Sequence, residues 1–265
     1  MAQKCTVGGV AYEIKGGRTL VGGVGYAVVN GRTLVNGVGY AVAKGRTLVD
    51  GVGYDVSFAP AAALPTFDGS CNFFGDATKG WVELLEDGTL TFPNTANLAS
   101  CDVYLLENGE AGHSRFISIP SSGGKGGDHA EFYRLDLRGM EVAVTIGEVT
   151  KFPLSDGTIY DTADAANGGA GGTKTTHAGA DGYAPFGGTL EAIDALGSKK
   201  LGAGGGYYGS YAGGDYGGGA GATGSNGNGE AGLANTGSGG GGSQMGRGGT
   251  GGTGIVIVRW GYVTV

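Results

Sequence analysis

The side chains best suited to chemistry are few in this sequence, and they are poorly spaced for it. His113, His129 and His177 lie apart from one another, without the short separations that bring imidazoles onto one metal ion, and read as surface or hydrogen-bonded histidines. Asp161 and Asp164 are close enough to share a cation but read more simply as solvated loop carboxylates. The stretch Thr176–Ala184 (THAGADGYA) matches the GxD of a calcium-binding nonapeptide once, and that fold needs stacked repeats. Gly123-Gly124-Lys125-Gly126-Gly127 is no phosphate loop, because no Ser or Thr follows the lysine to reach a magnesium ion. GxGxxG strings arise by chance in glycine-rich stretches, and none follows a strand and opens a helix. No GxSxG nucleophile elbow is present. Cys5, Cys71 and Cys101 are odd in number and lack CxxC spacing, which argues against a disulfide framework or a zinc site and for folding in a reducing cytoplasm. The expectation is no catalytic residue, no metal ligand and no cofactor: the chain is not expected to be an enzyme.

Binding chemistry is better represented. Tyr207, Tyr208, Tyr211 and Tyr216 stand beside Asp215, Asn226 and Asn228. Aromatic rings next to amides and a carboxylate suit stacking on sugar faces or gripping a protein, at small entropic cost. The plainer reading is that the rings cover and pack the glycine-rich backbone around them.

Composition limits which elements position these residues. Of 265 residues, 62 are glycine, against ~7% in an average chain, and each glycine inside a helix costs about 1 kcal/mol relative to alanine. Helical bundles are therefore excluded over much of the length. Charged residues make up 15% and the net charge is −7, so no broad basic surface exists to follow a phosphate backbone, and nucleic acid is not an expected partner. No run approaches the ~20 apolar residues of a membrane helix, and the first residues lack the apolar core of a signal peptide. Membrane insertion is not expected.

Three segments follow one another. Residues 1–58 carry a repeat of period 14: YEIKGGRTLVGGVG, YAVVNGRTLVNGVG and YAVAKGRTLVDGVG, starting at Tyr12, Tyr26 and Tyr40. Asn-Gly and Asp-Gly steps favour the φ > 0 conformation of two-residue hairpin turns. Pairing Val35 with Val38 sets Thr33 against Tyr40 and Leu34 against Gly39, and leaves a Val/Tyr face too small to be buried by one copy. Assembly is expected. Residues 59–66, with Pro60 and Pro65, read as a short stiff linker. Residues 67–265 read as a β-rich, glycine-rich domain. Trp81–Leu85 and Thr89–Phe92 around Glu86-Asp87-Gly88 predict a hairpin. Further strands are predicted at Asp102–Leu106, Arg115–Ile119, Ala130–Leu137 and Met140–Ile146, with one short helix at Thr189–Leu196. Residues 201–254 hold 26 glycines in 54 positions, yet end in Ile255-Val256-Ile257-Val258-Arg259-Trp260, a buried strand. A best core strand after a disordered tail is implausible, so the block reads as folded. Its physical option is a set of left-handed, three-residue helices of the polyproline II type, bonded to one another in short passes. The fold class is therefore all-β: short hairpin repeats, then a sandwich-like domain with a polyglycine II-type segment.

This order of features resembles a known family. The strands at Trp81–Phe92 and Asp102–Leu106, Asn108-Gly109-Glu110-Ala111-Gly112, the GGKGG stretch, Met140–Ile146, the glycine block and the closing GIVIVRW are similar to the glycine-rich domain of bacteriophage tail-fibre and prophage tail proteins. The GRTLV/GVGY repeats resemble those of tail proteins in phages of Gram-positive hosts. The glycine block is similar in kind to the polyglycine tip adhesins of T-even-like phages, whose inter-helix loops contact receptors. The resemblance implies a virion protein made in the bacterial cytoplasm, a homo-oligomer and by the three-fold habit of fibres a trimer, in contact with other virion proteins. It implies a tail fibre or tail-tip component that binds a bacterial surface polysaccharide or protein, with the alternative of a non-adhesive head fibre, decoration or collar protein.

Overall fold

The computed structural model describes eight strands between residues 4 and 57, and residues 63–262 except 115–121, 165, 173–178, 189–199 and 210. The chain divides into two compact units, Met1–Ala63 and Leu64–Val265. In the first, β1 (Lys4–Val7) pairs with β2 (Val10–Glu13), β3 (Gly17–Val21) with β4 (Val24–Val28), β5 (Arg32–Val35) with β6 (Val38–Ala41), and β7 (Lys44–Val49) with β8 (Val52–Ser57). All four pairs are antiparallel, and in the third Val35 lies opposite Val38 and Thr33 opposite Tyr40. The two faces expected of these pairs, the strand at Arg115–Ile119, the helix at Thr189–Leu196 and His177 lie outside the described residues.

The second unit is all-β. Its strands are β9 (Thr66–Phe67), β10 (Cys71–Gly75), β11 (Gly80–Leu84), β12 (Gly88–Thr91), β13 (Cys101–Leu106), β14 (His129–Leu135), β15 (Glu141–Val144), β16 (Lys151–Pro153), β17 (Ile159–Asp161), β18 (Gly168–Gly169) and β19 (Ile255–Trp260). A six-stranded antiparallel sheet runs β10-β11-β19-β13-β14-β18, a three-stranded sheet runs β15-β12-β9, and β16 pairs with β17. The last strand is thus near the centre of the main sheet. Every residue of β19 is buried, and the apolar run Ile255–Val258 fits a strand covered on both sides.

The predicted Trp81–Phe92 hairpin does not form. β11 pairs with β10 and β19, whereas β12 pairs with β15 and β9 in the other sheet. Glu86-Asp87-Gly88 carries the chain from one layer to the other. The carboxylate of Asp87 accepts from the Ile146 amide at 2.7 Å, tying that crossing to the end of β15.

Strand alternation sorts the core into two faces. Val82, Leu84, Val103, Leu105, Phe132, Val256, Val258 and Trp260 meet Leu90, Val142, Val144 and Phe152 between the sheets. The opposite face of the main sheet carries Trp81, Tyr104, Leu106, Ile255 and Ile257, covered by Phe186 and Leu201.

The glycine-rich backbone forms a bundle of extended passes that bond to each other. The pass 237–243 is its axis, and residues 236–243 are all buried. Gly240 and Ser243 donate to the carbonyls of Glu110 and His113, and Gly239 and Gly242 donate to those of Ala203 and Gly206. Gly237 donates to Thr253 and Gly241 to Glu230. In return, carbonyls of this pass accept from Gly124 and Gly127, from Gly219 and Ala222, and from Gly249 and Gly252. Five of the neighbouring passes bond the axis at positions three apart, the period of polyproline II geometry. The six neighbours (107–113, 122–128, 201–209, 217–222, 227–233 and 247–254) also bond around the ring, through Gly109 to Gly252, Glu110 to Lys125, Gly205 to Gly124, Gly206 to Gly219, Glu230 to Ala220 and Gly232 to Thr250. This is six passes around one. Shorter passes at 168–172, 179–183 and 211–214 lie outside the 201–209 side, bonding through Gly172 to Gly202, Gly204 to Ala180 and Gly214 to Gly204.

Candidate functional site

The bundle has two ends, and they divide the aromatic residues. Near Gly237 the closest atoms belong to Leu106 and Glu107, so this end rests on the sheet. Ser243, at the other end of the axial pass, donates to the His113 carbonyl. Segments at the far end include Tyr208, Gly209 and Tyr211 and the reversals 223–227 and 244–246, held together by bonds from Gly209 to Ala222, Met245 to Ser225 and Gly221 to Tyr211. Tyr207 and Tyr211 face each other there, with ring centroids 6.3 Å apart. Tyr211, Asn226, Asn228 and Met245 are exposed, and Tyr207 and Tyr208 are half-buried. The Asn228 side chain is spoken for in part, since its Oδ1 accepts from the Arg247 amide at 2.9 Å.

Asp215 and Tyr216 sit at the opposite end. Gly217 packs against Leu233, Thr236 and Ser238, which places the 215–217 reversal beside the sheet. The Asp215 amide donates to Asp181, whose other oxygen holds the Lys200 ammonium at 2.6 Å. That exposed contact, with the Asp215 amide, lowers the Asp181 carboxyl below its ordinary value. The seven residues grouped in sequence are therefore two groups in space.

The remaining sequence candidates fall into structural roles. Gly123, Gly124, Gly126 and Gly127 are bundle residues, with Lys125 paired to Asp128 at 2.5 Å. Asp161 and Asp164 accept from the amides of Ala163 and Ala166, two residues on, as turn carboxylates do. Among the described residues no three His, Cys, Asp or Glu side chains are grouped to hold a metal ion. Burial, then the charges of Asp102 and Asp136, push the Cys101 thiol up to about 12, so it packs as an apolar residue.

One feature is not legible from motifs: a polar row crosses the covered face of the main sheet. Arg259 on β19 donates to Asp102 on β13 at 2.8 Å, both almost fully buried. The guanidinium lies over the Phe186 ring, 4.1 Å from its centroid. On β14, Glu131 accepts from the Phe186 amide at 2.8 Å and from the Tyr133 hydroxyl. His129 stacks between Tyr104 and Tyr183, at 5.6 and 4.0 Å. The signal available was alternation: Asp102, Tyr104 and Leu106 share one side of a strand, as do His129, Glu131 and Tyr133.

Burial lowers the His129 pKa, outweighing the opposing charge of Asp128. The folded histidine is therefore neutral where the unfolded one binds a proton. Its contribution to stability is present above the unfolded value near 6.5 and is lost as pH falls through the lowered folded value. His129→Gln should flatten the wild-type loss of stability between pH 6.5 and the carboxylate range, read from urea midpoints across that window. Burial raises the Glu131 pKa, so its effect has the opposite sign, and it stays in both proteins.

No family model, curated protein or solved structure matches this chain.

Proposed function

We propose that the chain is a structural component of a tailed-phage virion, a tail fibre or tail-tip protein that attaches to the host cell surface. The observation that carries this reading is the six-around-one bundle. It fixes the backbone of every pass to its neighbours and leaves loops bearing Tyr207, Tyr208, Tyr211, Asn226 and Asn228 at the end away from the sheet. Rigid support under exposed aromatics and amides lowers the ordering cost of binding. The attachment partner on this reading is a surface polysaccharide or protein, and the work of the domain is binding and positioning, not catalysis. The 14-residue repeats serve as a stalk or docking element in a homo-oligomer, a trimer by analogy with fibres. The second reading, a head-fibre, decoration or collar protein, uses the same bundle for packing alone.

Virions carrying Tyr207→Ala, Tyr208→Ala and Tyr211→Ala together should assemble normally and adsorb to host cells at least tenfold more slowly, since buried aromatic anchors commonly cost over ~1 kcal/mol each when truncated. Normal adsorption by such particles favours the decoration reading. Failure of the protein to fold assigns the rings to packing. Trp81 and Trp260, both buried in the sheet, provide the contrast: truncating either should lose about 3–5 kcal/mol of stability and the fold with it.

A further inference from the structure

Where the bundle meets the sheet, a cavity of about 290 Å³ opens between β10, β11 and the reversal at 233–236. Its lining includes Asn72, Glu83, Lys200, Tyr216, Leu233 and Asn235. Glu83 is the last residue but one of β11 and is only 6% exposed. A carboxylate so buried is costly unless its oxygens are hydrogen-bonded. One oxygen accepts from the Asn72 amide at 3.2 Å, across the β10–β11 register, and the carboxylate lines the cavity. The wall opposite is built from two residues in the left-handed region, Tyr216 at φ 68 and Asn235 at φ 58. For a tyrosine that conformation is an outlier, and strain of this kind gathers at binding sites. The Tyr216 ring is half-exposed at the rim, and Leu233 is 59% exposed beside it.

These features select a ligand class. A carboxylate oxygen on the cavity wall accepts only, so a ligand that meets it must donate. Lys200 also lines the cavity with its ammonium already held by Asp181, and Glu83 disfavours an anion. A neutral polyol supplies donors without adding charge. The apolar ring of Tyr216 and the Leu233 side chain ask for a ligand with one apolar face, and the two amides of Asn72 and Asn235 offer both donors and acceptors. The volume lies just below the ~300–1,000 Å³ range of small-molecule sites, which suits one ring and not a folded segment.

We infer that this cavity is a saccharide site that takes a single neutral pyranose ring, its face on Tyr216 and its hydroxyls donating to Glu83, with Asn72 and Asn235 at the edge. The inference deepens the attachment reading and rests on it for the source of the sugar, but it sets the site at the base of the bundle and apart from the tip loops. The test is calorimetric titration of the full-length protein with glucose, galactose, N-acetylglucosamine and N-acetylgalactosamine. At least one should bind saturably at millimolar concentration. Glu83→Gln, which keeps the shape, and Tyr216→Ala should each weaken it tenfold or more, whereas Tyr211→Ala should not. Unchanged melting temperature of Glu83→Gln separates a lost contact from a lost fold. Absence of saturable binding by all four sugars overturns the proposal, as does binding that both groove variants leave intact. If sugar binding fails while adsorption still depends on the tip tyrosines, the groove alone is overturned. If sugar binding depends on the groove while tip variants adsorb normally, the groove stands and the tip reading falls.

Discussion

Replacing Gly241 with alanine should unfold the C-terminal unit under conditions where Gly224→Ala leaves it intact. Gly241 lies in the axial pass, donating to the Glu230 carbonyl and accepting from the Gly249 amide. A Cβ there would overlap the carbonyl of Ala220, a backbone atom held in its own place by the Glu230 amide. Nothing flexible can move aside. The two passes must separate, and the displacement spreads along the contact, because Gly219 and Ala222 bond the axial pass on either side of Ala220. Overpacking of a tight core costs about 1–3 kcal/mol and occasionally more. Here broken hydrogen bonds at roughly 1 kcal/mol each are added, so a loss of at least about 3 kcal/mol is expected. For a unit of this size that lowers the melting temperature by about 6–12 °C. Gly224 has no atom within 4 Å of its would-be Cβ, and its substitution should stay within about 0.5 kcal/mol. Urea unfolding followed by the fluorescence of Trp81 and Trp260 reads both. Equal midpoints for the two variants would show that close packing of the passes does not support the fold.

The same geometry explains what the sequence disclosed and what it withheld. That 201–254 folds follows from its position before Ile255–Trp260: a strand destined for the middle of a sheet anchors whatever precedes it. That 107–113 belongs to the same bundle does not follow from density of glycine, since it holds only Gly109 and Gly112, and the four glycines of 122–128 lie in a stretch too short to read as a block. The usable signal is spacing. Gly109 and Gly112, Gly123 and Gly126, Gly124 and Gly127, Gly229 and Gly232, and Gly246, Gly249 and Gly252 are each three apart, which keeps one edge of a three-residue helix free of side chains. The missed pairing at Trp81–Phe92 has a different cause. Glu86-Asp87-Gly88 carries ordinary turn chemistry, but β11 lies between β10 and β19, and β19 is more than 170 residues on. Local sequence cannot choose between a neighbour and a strand so remote. The tyrosines were divided for a similar reason: Tyr211 and Tyr216 are five apart in sequence, and the 211–214 pass puts them toward opposite ends of the bundle.

Asp102→Ala should be among the most damaging substitutions on the main sheet, and a paired apolar replacement should restore much of what it loses. Asp102 sits where β14 bulges against β13: Cys101 pairs with Leu135, but Val103 pairs with Phe132. The extra residue includes Arg134 at φ 61, whose amide donates to Asp102 Oδ1 at 3.0 Å. Asp102 Oδ2 accepts from Arg259 Nε at 2.8 Å. One carboxylate thus stabilises an irregular backbone and neutralises a guanidinium that is 3% exposed. Removing it leaves Arg259 buried beside Glu131, whose oxygens already accept from Phe186 and Tyr133. Breaking one side of a buried pair typically costs about 3–5 kcal/mol, mostly because the remaining charge has lost its partner. If that is the cause here, removing the charge as well should recover stability. Asp102→Ala with Arg259→Met should then be more stable than Asp102→Ala alone by at least about 1 kcal/mol, less whatever the guanidinium gains over Phe186. The bulge bond at Arg134 is absent from both variants and drops out of the comparison. Chemical denaturation of wild type, both single variants and the double variant closes the cycle. A double variant no better than Asp102→Ala would shift the role of the carboxylate from its charge to the bulge, with the Arg134 amide as the contact that matters.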